Sequence, residues 1–136
     1  MYAVDIDSHR DMLQAVAAKH AAQPVELIVV ESVGDWSKAQ GISNARGDPQ
    51  AMAIATPDRS KWAVVMRQAI DQSTVESTIS LMELRGFDQC RETLCSASEY
   101  AQHLMLHELA HLTNNWGQER ERDCDVWAFE RLEGAI

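Results

Sequence analysis

The residues best suited to chemistry are His107, Glu108 and His111, spaced as His-Glu-Leu-Ala-His. On a helix, positions i and i+4 lie about 40° apart around the axis and one turn apart along it. Two imidazoles so placed can reach one metal ion, and the carboxylate between them points at a water on that ion. Zinc lowers the pKa of such a water to about 7, and Glu108 is placed to take its proton as general base. Chance alone would produce this spacing in about one chain of such composition per hundred. The bland alternative is two unrelated buried histidines.

A zinc site open for catalysis needs a third protein ligand. The last part of the chain offers Glu119, Glu121, Asp123 and Asp125. Glu121 and Asp125 are four apart and share a helix face, flanked by Cys124 and Ala128. Glu121 is favoured over Glu119 as the third ligand. Asp125 is then placed to hydrogen-bond His107 or His111 and fix its tautomer. Without the histidine motif upstream, this charged run would read as a solvated helix face.

HELAH, nine intervening residues, and then Glu121-Arg122-Asp123-Cys124-Asp125-Val126-Trp127-Ala128 resemble the gluzincin pattern of HExxH plus E-x-x-x-D. The spelling is similar to compact bacterial zincins whose second motif reads E-x-x-A-D/N-x-F-A. Those include minimal gluzincins, repressor-cleaving peptidases of mobile elements, and metallopeptidase domains attached to antirestriction proteins. The residues before HELAHLT also resemble the last group. The resemblance is strong over residues 98–132 and weak before them. It implies a zincin fold, Zn2+ on His107, His111 and Glu121, Glu108 as base, and Asp125 behind a histidine. It also implies a peptide substrate lying along an edge strand of the sheet, either 51–56 or 62–67. The chain departs from the pattern twice. Cys124 stands where a small Ala is usual. No His or Tyr follows the glutamate helix to steady an oxyanion, a donor typically worth ~10²–10³ in rate.

The elements that must position these residues can be read from periodicity. A helix is expected over residues 8–22, capped by Ser8 and ended by Gln23-Pro24. Residues 25–30, Val-Glu-Leu-Ile-Val-Val, read as a buried strand. Three glycines, an Asn-Ala-Arg-Gly turn signal and Pro49 make residues 34–49 mostly loop. Residues 51–56 and 62–67 form a hairpin around Pro57-Asp58-Arg59-Ser60. Residues 73–85 have helical spacing at Val75, Ile79 and Met82, weakened by Ser and Thr. Residues 86–96 are a polar connection. The strongest signal is a helix over residues 97–115, capped by Ser96 or Ser98 and apolar on all but one stripe, through His103, His107 and His111. Such a helix is central and buried. Asn114-Asn115-Trp116-Gly117 breaks it, and a last helix spans 118–132. The expected fold is α+β and zincin-like, one domain over residues 1–136. It comprises an N-terminal helix, a small mixed sheet with a β-hairpin, a buried HExxH helix and a C-terminal glutamate helix.

His103 lies about 12 Å along the helix from His111, too far to share one metal. It is expected near the cleft rim, where it could serve substrate. Tyr100 is a candidate for the missing oxyanion donor. His9 and His20 read as surface residues, and the four tryptophans as packing, with Trp116 setting how the two site helices meet.

With 12 Lys+Arg against 21 Asp+Glu, the formal charge is −9, which repels phosphate backbones and argues against nucleic acid as a partner. No apolar run reaches the ~20 residues a membrane span needs, and the first residues lack the basic and apolar regions of a secretory signal. Three cysteines, Cys90, Cys95 and Cys124, suit free thiols in a reducing, cytoplasmic setting, with a Cys90–Cys95 bridge left open. A zinc-dependent metallopeptidase acting on a protein or peptide is the leading expectation. A zincin-fold binding module, weak or latent in catalysis, is the second. A mobile-element effector acting on one host target is the third. Oligomeric state is not legible.

Overall fold

The computed structural model describes residues 1–42 and 47–135. The expected turn signal at 44–47 falls largely outside them. Among the described residues the architecture is α+β, with six α-helices and a small mixed sheet.

The chain opens with β1 (Val4–Asp5), a 3-10 turn (Ile6–His9) and α1 (Arg10–His20). The helix therefore starts later than expected, because the 3-10 turn takes up residues 6–9. Ser8 does not cap α1; its hydroxyl donates back to the Asp5 carbonyl at 2.7 Å. Leu13, Val16 and Ala17 form the buried stripe of α1, which packs on both the sheet and the central helix.

The main sheet has the order β2-β4-β3, with β2 (Val25–Val30) parallel to β4 (Trp62–Arg67) and β3 (Ala51–Ala55) antiparallel to β4. The expected hairpin is thus present, and of its two strands β3 is the one at an edge of the sheet, β2 forming the other edge. β4 sits in the middle and is the most buried, with Val64, Val65 and Met66 inaccessible to solvent. The hairpin bonds run from Arg67 N to Gln50 O and from Thr56 N to Lys61 O. Even-numbered residues of β3 therefore turn their backbone to β4, and Ala51, Ala53 and Ala55 turn theirs to the open edge.

A second helix, α2 (Val33–Ala39), corrects the expectation of loop across 34–49. Ser32 caps it through the Asp35 N–H at 3.1 Å, and Asp48 grips its first turn through Ser32 Oγ and Gly34 N–H. A Cβ on Gly34 would meet Gly47 O at 2.3 Å, so glycine is what lets the chain leading to β3 pass this close. The glycine content that read as loop serves helix packing here.

β5 (Ala69–Ile70) pairs with β1 in a separate two-stranded ribbon, Val4 opposite Ile70. α3 (Gln72–Leu84) is the helix expected at 73–85, capped by Asp71 on Thr74 N. The connection 86–96 contains a short α4 (Cys90–Thr93). Cys90 and Cys95 are not bridged, and all three cysteines are free thiols.

α5 (Ala97–Asn114) is the central helix. Tyr100, Ala101, Met105, Leu106, Leu109 and Ala110 are buried along it, and it packs against α1, β3 and α6. Ser96 stands at its N-cap, but its hydroxyl meets Glu99 rather than a backbone N–H. Asn115 closes α5 in the left-handed region at φ 53°. A 3-10 turn (Gln118–Arg120) leads into α6 (Glu121–Leu132), whose Cys124, Trp127 and Ala128 are buried. No helix among the described residues is long and apolar enough to cross a membrane.

Candidate metal centre

α5 carries His103, His107 and His111 on one stripe, and α6 packs along it with Glu121, Cys124 and Asp125 turned inward. His107 Nδ1 lies 2.7 Å from Asp125 Oδ1. His111 Nδ1 lies 2.8 Å from the Trp116 carbonyl, in the turn between the helices. A carbonyl and an ionised carboxylate only accept, so both Nδ1 atoms carry hydrogen. The Nε2 atoms are left to face Glu121. Its two oxygens stand 2.7 Å from His107 Nε2 and 3.2 Å from His111 Nε2.

This donor set suits zinc. Ligand atoms bound at about 2.0–2.1 Å around one tetrahedral ion lie about 3.3 Å apart; His111 Nε2 and Glu121 at 3.2 Å match this, while His107 Nε2 and Glu121 at 2.7 Å stand at hydrogen-bond length. Among the described residues, one ligand-capable atom from each of His107, His111 and Cys124 also falls within 4.8 Å of the others. A second such group, His103, His107 and Asp125, is the supporting side of the same cluster. There a single oxygen, Asp125 Oδ1, takes His107 Nδ1 and His103 Nε2 together.

With protons rather than a cation on these atoms, the cluster is an imidazolium–carboxylate network. Burial alone would depress the His107 pKa, but hydrogen bonds to Asp125 and Glu121 outweigh it and hold it at about 10. Burial is likewise overcome at His111 by Cys124, Glu121 and the Trp116 carbonyl, and its pKa reaches about 11. Burial would raise Glu121, yet the two imidazoles bring it down to about 2. The same contest, settled by His103 and His107, holds Asp125 well below the ordinary carboxylate range.

Glu108 is buried on the sheet side of α5, and burial pushes its carboxyl up. The Ala53 backbone faces it from the open edge of β3 and offsets a little of that rise. The small side chains of Ala51, Ala53 and Ala55 pack against the core, which is what lets the edge strand come so near α5. Glu108, His107, Glu121 and Asp125 line one cleft of about 190 Å³, together with Gln50, Tyr100 and Leu81.

Two expected residues sit differently. His103 does line the cleft, but not at its rim: it is 3% exposed, and its Nε2 is engaged by Asp125. Burial lowers its pKa, so it is a neutral ring donating Nε2–H. Tyr100 is also buried, and its hydroxyl donates to Gln50 Oε1 at 2.6 Å on the cleft wall. Glu119 and Asp123 make no contact with the imidazoles among the described hydrogen bonds; Asp123 instead pairs with Arg120 at 2.5 Å. Sequence reasoning passed over three contributors: the Trp116 carbonyl, the Ala53 backbone and the Cys124 sulfur. The first two are main-chain groups that no side-chain pattern can reveal. Cys124 had a signal, being three residues after Glu121 on the same helix face.

Searches against protein-family models, curated proteins and solved structures returned no match to this chain.

Proposed function

We propose that the protein is a minimal, zincin-like zinc metallopeptidase, with His107, His111 and Glu121 as metal ligands and Glu108 as general base. One observation carries the reading: both Nδ1 atoms are tied to acceptors, which turns both Nε2 atoms toward Glu121, where a metal would replace their protons. Such outer hydrogen bonds orient a ligating histidine and raise its basicity.

A zinc ion held by these residues supplies Lewis acidity and makes a nearby water acidic enough to ionise near neutral pH. Everything else falls to the chain. Glu108 takes a proton from water in the cleft and can return it to the leaving amine. Its raised pKa suits both halves of that task, and the Ala53 backbone faces the carboxylate from β3. The outward backbone of Ala51 and Ala55 offers pairing for an extended peptide, which would lie beside Glu108.

A second reading, a zinc-holding module of low or latent activity, is favoured by the engaged state of Tyr100 and His103. Neither side chain is free to steady an oxyanion. Glu108→Gln separates the two. A peptidase keeps its zinc and loses hydrolysis of a peptide library by a factor of about 10² or more. Unchanged turnover in the variant would remove Glu108 from the mechanism.

A further inference from the structure

Cys124 follows Glu121 by three residues on α6 and is fully buried. Its sulfur lies beside the His111 ring, near enough to help raise that ring's pKa. Because His111 Nδ1 is taken by the Trp116 carbonyl, the nitrogen left for the sulfur is Nε2, the atom that also faces Glu121. One ligand-capable atom from each of His107, His111 and Cys124 lies within 4.8 Å of the others. The contrast with Cys90 is informative. Cys90 is also buried, but its thiol reaches the Ile79 carbonyl at 3.6 Å, a structural bond of the ordinary kind. Cys124 instead turns toward the point where two imidazoles and a carboxylate already converge.

We propose that Cys124 is a fourth protein ligand to the metal, so that the resting protein holds it in a closed set of two histidines, one glutamate and one cysteine. The inference rests on the zinc reading of the same site. On coordination the thiol gives its proton to solvent, and the thiolate sulfur forms the bond to the metal. Zinc favours a soft thiolate, and a site with four protein ligands is of the structural kind, with no position open for water. Hydrolysis at this site then requires the sulfur to yield its place. The closed set keeps the chain latent, and Cys124 is the residue that sets the latency.

The test is to strip the purified full chain of metal and load it with one equivalent of Co2+. Absorption spectra are then compared for the wild type, Cys124→Ala and Cys124→Ser. The expected wild-type spectrum has visible tetrahedral cobalt bands plus an intense thiolate-to-cobalt charge-transfer band in the near ultraviolet. Both variants keep the visible bands and lose the charge-transfer band, and zinc-loaded Cys124→Ala gains peptide hydrolysis over the wild type. Visible bands in the wild type without charge transfer would overturn the fourth ligand and leave the histidine–glutamate site standing. A charge-transfer band that survives in Cys124→Ala would trace to another thiol, such as the exposed Cys95, and would overturn it equally. Failure of every form to take up cobalt would overturn the metal reading and this proposal together. If Cys124→Ala does not fold, Cys124→Ser makes the assignment, and a wild-type spectrum without the charge-transfer band overturns the proposal with neither variant.

Discussion

Asp125 Oδ1 stands 2.7 Å from His107 Nδ1, with the aspartate side chain only 5% exposed. This contact turns His107 so that its other nitrogen meets Glu121. The same oxygen is steadied from behind by His103 at 3.0 Å.

Replacing Asp125 by Ala should therefore act on the metal rather than merely on the fold. Loss of such a partner typically costs 10–100-fold in metal affinity. It also strands the His103 Nε2–H in the interior, at a cost of about 1–3 kcal/mol of stability. Competition with a chromophoric chelator reads the first effect and urea unfolding the second. Wild-type zinc affinity in Asp125→Ala would contradict the role assigned here.

Arg59, in the turn of the β3–β4 hairpin, reaches the C-terminus of α5. Its guanidinium donates to the Leu112 carbonyl and, at 3.0 Å, to Asn115 Oδ1. It completes the end of the helix that carries His107 and His111, where a positive charge is also favoured by the helix dipole. The residue pays for this with a left-handed backbone, φ 59°. Arg59→Ala should lose about 1–2 kcal/mol of stability, and Arg59→Gly should lose less, since glycine accepts that φ without strain. Equal losses in urea unfolding would argue that the backbone strain is negligible.

The pH dependence has a definite sign. In the metal-free protein, His107 and His111 titrate at about 10 and about 11 against an ordinary 6.5. The stability they contribute is therefore complete below pH 6.5 and is lost as pH rises through 10 to 11. Glu121, lowered to about 2 from 4.5, works the other way: its share is present above pH 4.5 and lost as pH falls through 2. A metal must displace the imidazole protons, so rising pH favours its binding. The Tm difference between zinc-loaded and chelator-treated protein should widen from pH 6.5 to pH 9. A difference that stays flat over that range would contradict the shared position of protons and metal.

The parts legible from sequence were those set by local spacing. His107, Glu108 and His111 follow from i, i+4 geometry, and Glu121 and Asp125 from the same rule on the next helix. The hairpin was legible from Pro57-Asp58 between two short apolar runs. What escaped was set by distant partners. β1 and β5 are two residues each and exist because Val4 meets Ile70 across the fold. α2 is short, and Asp48 holds its first turn from fourteen residues beyond Gly34. His103 read as a rim residue because its own helix shows only a polar stripe. Its burial comes from Asp125 and from Phe129, whose ring lies 4.3 Å away, both supplied by α6.

The most direct test of the central claim is metal content by mass spectrometry on purified wild type and Glu121→Ala, side by side. The account predicts about one zinc per wild-type chain, lost or much weakened in the variant. Zinc retained in full by Glu121→Ala would contradict the assignment of Glu121. Absence of metal from both, even after zinc is supplied, would contradict the zinc site itself.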